Sequence, residues 1–208
     1  SLATYTLISP NKNSPRNHKI DTISIHCFVG QVTAKRGCEV FQPSSKQASC
    51  NYVVGYDGSI GLCVEEKDRS WCTSSSSNDH RAITIETASE NKAPYKVTAA
   101  AYAALLDLVT DICRRNGIKK LVWSTKKSDR VNHKNGCNMT VHRDYANKAC
   151  PGDYLYNRHG AIAAEVNKRL GASTAEPEKP STGSGTLYKV QTLSLIHISE
   201  PTRLDVIS

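Results

Sequence analysis

The sequence predicts an α/β domain over residues 1–171, with a mixed central β-sheet flanked by helices. Two observations carry this prediction: short β-rich runs recur along the chain, and Ala- and Leu-rich stretches of helical length separate them. Because the order of strands and helices is irregular, a mixed sheet is favoured over a fully parallel one. The chain has 208 residues, which is enough for one domain with its own hydrophobic core.

Four segments of this domain are predicted to contain strands. TISIHCF (22–28) and RAITIETA (81–88) are single strands rich in β-branched residues. CNYVVGYDGSIGLCV (50–64) predicts two strands joined through Asp57-Gly58, because an Asp-Gly pair readily adopts the positive φ angles of a hairpin turn. KKLVWST (119–125) predicts a further short strand.

Two helices are predicted, one over residues 97–117 and one over residues 152–171. Both stretches are rich in helix-forming residues and end with basic residues followed by Gly, which is typical of a helix C-terminus.

The composition changes after Gly171. Residues 172–185, ASTAEPEKPSTGSG, contain almost nothing apolar and predict a flexible linker. TLYKVQ (186–191) has a strand-like pattern, as if a second, truncated domain began there. The stretch from 192 to 208 is too short to build a core and resembles a translated sequencing adapter, so we exclude it from the prediction of the fold.

The formal net charge of +8 favours an anionic polymer as partner. The basic residues are scattered, and no arginine-rich run with interleaved aromatics occurs, so we expect no nucleic-acid partner. No apolar run of about 18 residues or more exists, so no membrane span is predicted. The first residues lack the charged and apolar regions of a signal peptide. The chain also begins without Met, so export is left open.

The eight cysteines contain no Cys-x-x-Cys pair, and we expect most of them to be small buried apolar residues, with a disulfide left open. One cysteine suggests a different role. In TVHRDYANKACPGDY (140–154), His142 and Cys150 lie eight positions apart, with Lys148 between them. Zinc favours imidazole and thiolate ligands, and the best third candidate is His26, near the end of the strand TISIHC. Taken singly, each His is more often an ordinary surface or hydrogen-bonded residue.

Four segments together resemble one known family. They occur in the order found in the zinc-dependent N-acetylmuramoyl-L-alanine amidases of the type 2 family, which includes phage amidase-type lysozymes and is related to peptidoglycan recognition proteins: SIHCFVG, ASCNYVVGYDGSI, AITIETAS and TVHRDYANKACPG. The resemblance covers roughly residues 3–170, and its most specific part is the segment from His142 to Gly152. It implies a mixed sheet flanked by helices, with a zinc-bearing groove on one side.

The resemblance also implies roles for five residues. His26, His142 and Cys150 take the positions of the zinc ligands, Lys148 that of a lysine facing the oxyanion, and Glu86 that of a catalytic acid/base. The implied reaction is cleavage, by zinc-activated water, of the amide bond between the lactyl group of N-acetylmuramic acid and L-alanine in bacterial peptidoglycan.

The implied setting is the bacterial cell wall, which the protein would reach by export or by release from the cytoplasm on lysis. We expect a monomer. TLYKVQ resembles the first strand of SPOR-type peptidoglycan-binding modules, so the truncated second domain is expected to bind the wall.

One position departs from the phage lysozymes, which carry a catalytic Tyr where this chain has Cys50. Side chains two apart in a strand share a face, so Cys50 and Tyr52 are expected on the same face, and geometry excludes neither from this role. The implied loss of the Tyr leaves Glu86 as the favoured acid/base.

Three alternatives remain beside this prediction. A non-catalytic peptidoglycan-binding module is one, although such relatives typically lack the Cys ligand. A thiol peptidase using Cys27 and His26 is a second, disfavoured because neighbours on a strand face opposite ways. A second metal site at His133 and Cys137 is the third, although a structural role is commoner for such a pair. The adjacent Arg143-Asp144 pair is expected to brace the loop beside His142.

Overall fold

A computed structural model describes residues 1–171 of the chain. The predictions for residues 172–185, 186–191 and 192–208 lie outside the described residues. The strands are β1 (Tyr5–Thr6), β2 (Lys12–Asn13), β3 (Thr22–Val29), β4 (Tyr52–Val54), β5 (Ile60–Leu62), β6 (Arg69–Ser70), β7 (Ala82–Ser89) and β8 (Met139–Thr140). The helices are α1 (Ala34–Val40), α2 (Ser76–Arg81), α3 (Ala99–Arg115), α4 (Lys127–Val131), α5 (Gly152–Tyr156) and α6 (His159–Leu170).

The central sheet has six strands in the order β1-β5-β4-β7-β3-β8, and it is mixed as predicted. Its centre is the parallel pair β3 and β7, which runs in register from Thr22 opposite Ala82 to Val29 opposite Ser89. β4 and β5 form the predicted antiparallel hairpin, and Gly58 in its turn has a φ of +84°. β2 and β6 pair separately as a two-stranded antiparallel ribbon.

The alternation of side chains along β3 and β7 gives the sheet two different faces. Ile23 and Ile25 of β3 lie on one face, where they join the main hydrophobic core with residues of α3 and α6. The side chains between them are polar and point to the opposite face, because successive residues of a strand alternate. Residues 26 and 86 are direct partners in the β3–β7 register and therefore share that second face.

The predicted helix at 97–117 is confirmed as α3. The Thr98 side chain accepts a hydrogen bond from the Ala101 backbone N–H at its start, and Gly117 follows its end with a φ of +68°. The helix predicted over 152–171 is instead two helices, α5 and α6, with a break at residues 157–158.

The strand predicted at 119–125 is wrong, since no strand is assigned there. The backbone of this segment bonds mainly to side-chain amides, besides one backbone bond from Asn138 N–H to the Val122 carbonyl oxygen at 3.1 Å. Leu121 N–H donates to Asn167 Oδ1 at 2.7 Å, and Val122 N–H donates to Asn138 Oδ1 at 2.8 Å. Because these amides come from distant positions in the chain, they replace strand pairing in a way that local propensity does not reveal.

Within residues 1–171, no helix combines the length and the apolar character that crossing a membrane requires.

A buried histidine marks the packing of α6 against the domain. His159 is fully buried, its Nδ1 lies 2.8 Å from the Leu155 carbonyl oxygen, and its ring centroid is 4.4 Å from that of Trp123. Its Nε2 has no hydrogen-bond partner in the part of the chain that the structure describes. Burial lowers the pKa of His159 to about 4.

This histidine makes the stability of the domain sensitive to acid. The unfolded chain binds the proton near its ordinary pKa, while the folded chain resists it until about pH 4. The contribution of His159 therefore leaves the free energy of unfolding unchanged above about pH 6.5 and lowers it by up to about 3 kcal/mol as the pH drops towards 4. We expect His159→Gln to remove this part of the loss. Urea unfolding at pH 7 and pH 4 for both proteins measures it, and an equal loss in the variant would contradict the assignment.

Candidate metal centre

Three side chains of the types that can ligate a metal meet at the polar face of the sheet. His26, His142 and Cys150 each offer one ligand atom, and these atoms lie within 4.8 Å of one another. His26 Nδ1 is 3.3 Å from Cys150 Sγ, and the two histidine rings are 5.2 Å apart between centroids. His26 is fully buried, while the other two are partly exposed. The three positions singled out in the sequence are thus brought together.

The sheet and a short loop account for this meeting. β8 pairs with β3, placing Thr140 opposite Ser24, so the chain leaves the sheet beside His26 and reaches His142 two residues later. The loop then closes on itself, because the Arg143 backbone N–H donates to the Cys150 carbonyl oxygen at 3.2 Å. This bond brings Cys150 back beside His142.

Gly152 shapes the turn that follows this loop. Its φ is +75°, which favours glycine, and an added Cβ would lie 2.7 Å from Cβ of Tyr95. The Pro-Gly pair seen in the sequence thus has two steric reasons to end in glycine.

Ser24 orients the imidazole of His26. Its Oγ is 3.1 Å from His26 Nε2 and 3.4 Å from the Thr140 carbonyl oxygen. A hydroxyl has a single proton, so when Ser24 donates it to Thr140 it accepts from the Nε2–H of His26. That tautomer leaves the lone pair of Nδ1 facing Cys150, as a ligand requires.

Glu86 stands next to His26 on the same face. Its Oε1 is 3.9 Å from His26 Nδ1 and 3.8 Å from Cys72 Sγ. Its Oε2 is buried and has no hydrogen-bond partner among the described residues. Burial raises the pKa of Glu86 to about 7. A carboxyl group of this kind can both accept and donate a proton near neutral pH.

Cys72 is a residue of this site that the sequence did not single out. His26, Cys72 and Glu86 form a second group whose ligand atoms lie within 4.8 Å of one another. No spacing rule links Cys72 to the His-Lys-Cys segment, so only the fold reveals it.

The loop that carries Cys72 is held by a buried carboxylate. Asp79 accepts hydrogen bonds from the backbone N–H groups of Cys72 at 2.9 Å and Thr73 at 3.2 Å. Ser74 follows with a φ of +61°, and its Oγ lies 3.0 Å from His142 Nε2. This loop therefore supports both Cys72 and His142.

Lys148 is exposed and lies at the edge of an open cavity of about 370 Å³. The wall of this cavity also includes His142, Cys72, Arg69 and Trp71. Of the three candidate ligands, His142 lines this cavity, so the cavity opens that side of the group to solvent.

The protonation states of the three residues differ. Burial is the main cause that lowers the pKa of His26 well below its usual value, and the charge interaction with His142 is the second cause. Burial also lowers the pKa of His142, and the charge of Lys148 adds to this effect. Both imidazoles are thus neutral and able to donate a lone pair. The hydrogen bond with Cys27, followed by burial, raises the pKa of Cys150 well above its usual value. A metal would displace that thiol proton on binding.

The prediction that Cys50 and Tyr52 share a face is wrong. Tyr52 packs in the main core, and its hydroxyl donates to Glu66 Oε1 at 2.8 Å. Cys50 packs in a second cluster on the opposite face. The regular alternation begins only with β4 at Tyr52, and Asn51 before it bonds to Thr84 through its backbone N–H at 3.1 Å. Cys50 therefore lies on the side of Glu86, but fully buried.

The loop beside His142 is braced differently from the prediction. Asp144 does not act with Arg143; it forms a buried, two-point ion pair with Arg130 at 2.5 and 2.7 Å. Arg143 instead donates to the Ala149 carbonyl oxygen at 2.6 Å, inside the loop.

His133 and Cys137 do not form a metal site with any other described residue. The groups of three or more ligand atoms found within residues 1–171 exclude them both. His133 Nδ1 lies 3.0 Å from the Cys137 carbonyl oxygen, which indicates a structural role.

Comparison with known proteins identifies the class. The family described as N-acetylmuramoyl-L-alanine amidase matches residues 16–153. The chain belongs to the N-acetylmuramoyl-L-alanine amidase family, and this membership supports a peptidoglycan amidase activity. No curated protein matches it in sequence.

Several solved structures are similar in fold to this chain. PlyL is 15% identical with a TM-score of 0.58, over 78% of this chain and 95% of that one. The catalytic domain of XlyA is 15% identical with a TM-score of 0.57, over 78% and 97%. A selenomethionine AmpD derivative is 17% identical with a TM-score of 0.56, over 78% and 95%. At these identities the likeness concerns the fold, and it confirms the mixed sheet flanked by helices.

The ion pair behind His142 gives a stability prediction. Arg130→Ala leaves Asp144 as an unpaired charge in a buried place, which costs about 3–5 kcal/mol of unfolding free energy. Arg36→Ala removes an exposed pair with Glu39 and serves as the control, with an expected cost of about 0.5 kcal/mol. Urea unfolding at pH 7 compares the two variants. Equal costs would show that the buried pair does not brace the loop.

Proposed function

We propose that the chain hydrolyses the amide bond between the lactyl group of N-acetylmuramic acid and L-alanine, using zinc held by His26, His142 and Cys150. The observation that carries this proposal is the convergence of these three side chains beside Glu86. Family membership supports the substrate, bacterial peptidoglycan, and hence the cell wall as the place of action.

The donor set fits zinc. Two neutral imidazoles and one thiolate are ligands that zinc prefers, and three protein ligands leave a fourth position for water, as in catalytic zinc sites. Within residues 1–171, the polar partners of His26 Nδ1 are Cys150 and Glu86, and Glu86 Oε2 is buried without a hydrogen-bond partner.

Zinc in this site would supply an attacking water with a pKa lowered towards neutrality. The rest of the mechanism belongs to the protein. Glu86, beside His26, takes a proton from the attacking water and delivers it to the nitrogen of the departing L-alanine. Its position in β7, opposite His26 in the parallel pair, fixes its distance from the ligands.

Lys148 stabilises negative charge on the carbonyl oxygen as the amide is attacked. It lies on the cavity wall with His142, at the solvent side of the site. A single donor of this type contributes on the order of 10²–10³ in rate.

The alternative is a module that binds peptidoglycan without cleaving it. Cys50, in place of a catalytic Tyr, is the feature that favours this reading, since it is fully buried and cannot reach a substrate. The complete ligand set and the neighbouring Glu86 favour hydrolysis instead.

One digestion experiment separates these functions. Purified peptidoglycan is incubated with the protein, and the new end groups are identified by mass spectrometry. We expect free N-terminal L-alanine on the stem peptides, lost with a zinc chelator and restored by zinc. Intact peptidoglycan with the protein bound would favour the binding module. Cleavage that persists in the chelator would exclude zinc chemistry.

Substitutions distinguish the proposed zinc ligands from the proposed acid/base by their effects on zinc content and rate. Cys150→Ser is expected to lose both bound zinc and activity, while the equally small change Cys113→Ser, in α3 away from the site, keeps both. Glu86→Gln should keep the zinc and lower the rate by about 10²–10⁴. Metal content by atomic spectroscopy and the digestion rate are measured together. Zinc loss in Glu86→Gln would assign Glu86 to the ligands.

Lys148→Ala is expected to lower the digestion rate by about 10²–10³ with unchanged zinc content. Lys168→Ala, an exposed lysine on α6, is the matched control and should keep the full rate. A rate for Lys148→Ala within twofold of that control would remove Lys148 from the mechanism.

A further inference from the structure

Two cysteines outside the candidate site lie in direct contact. Cys38 Sγ and Cys63 Sγ are 2.7 Å apart, and both residues are fully buried. This separation is inside the van der Waals contact of two separate sulfur atoms. The pair is distinct from Cys150 and Cys72, and the proposed mechanism uses neither of its members.

The backbone fixes this contact. Cys38 lies on α1, and Cys63 directly follows β5. The helix sits against the strand where the strand has Gly61, and an added Cβ there would be 2.6 Å from Cys38 Sγ and 3.2 Å from the Ala34 carbonyl oxygen. Gly37 makes a second close approach, since its added Cβ would lie 2.5 Å from Cγ1 of Val53. Two glycines thus hold the helix close to the sheet at the level of the two sulfurs.

The surroundings favour a bond within this pair. The cluster around it is apolar and contains Phe41 and Val53, with one further buried thiol, Cys50. Within the described residues, neither Cys38 nor Cys63 has a metal-binding group of three ligands around it. A metal site is therefore not the explanation of the paired thiols.

We propose that Cys38 and Cys63 form a disulfide when a small-molecule disulfide is present. One cysteine thiolate attacks the small disulfide and releases one small thiol. The second cysteine thiolate then displaces the other small thiol, and the Sγ–Sγ bond forms. Two protein thiols are oxidised, one small disulfide is reduced to two thiols, and the two protein protons pass to the released thiolates.

The bond would tie α1 to the β5 side of the sheet across 25 positions of sequence. Disulfides persist in oxidising surroundings, so the cross-link would form in protein that has left a reducing cytoplasm. The proposal does not depend on amidase activity.

The test uses the full chain, refolded with a mixture of reduced and oxidised glutathione. Refolding exposes the two thiols, which are buried in the native state. Alkylation in denaturant then counts free thiols by mass, and we expect two of the eight to be lost. Trypsin cleavage after Arg36 and Lys46, with cleavage before Asp57, separates Cys38, Cys50 and Cys63 into different fragments. The expected product joins fragments 37–46 and 57–67.

Reductant provides a second measurement. The thermal midpoint of the oxidised protein should fall by roughly 5–15 °C on reduction. Cys38→Ala should abolish this shift, whereas Cys113→Ala, another fully buried cysteine, should keep it. Eight free thiols after oxidative refolding would overturn the proposal. A bridge from Cys50 to either partner would overturn it as well.

Discussion

The parallel pairing of β3 with β7 is the constraint on which the candidate site depends. In this register His26 and Glu86 are direct partners at the centre of the sheet. Their separation is therefore set by backbone hydrogen bonds and not by flexible loops. The aliphatic side chains on the other face pack in the main core. A shift of the strand register by one residue would therefore turn the polar side chains into that core. Stability and site geometry have the same origin here.

Much of this arrangement could be predicted from the sequence, because the relevant signals are local. β-branched alternation marks β3 and β7, Asp57-Gly58 marks the hairpin, and the basic residues before Gly117 mark the end of α3. The His-Lys-Cys segment is equally local, and the structure brings His142 and Cys150 together with His26. The roles of these residues remain predictions.

The features that the sequence did not predict have a common physical cause, which is long-range hydrogen bonding and packing. Side-chain amides of Asn138 and Asn167 take the place of strand partners for residues 121–122. Arg130, not Arg143, neutralises Asp144. Cys72 reaches Glu86 from a loop anchored on Asp79. No pattern in the chain predicts such contacts, since each joins segments that only the fold places side by side.

The three candidate ligands lie in two parts of the protein that are expected to open at different free energies. His26 is held by the central strands, while His142 and Cys150 occupy the two ends of one short loop closed by the Arg143 hydrogen bond. Opening that loop would separate two candidate ligands from the third, and local openings cost less free energy than global unfolding. Metal exchange in this fold would therefore follow the local equilibrium of a nine-residue segment, from 142 to 150, and hydrogen exchange at its amides would report it.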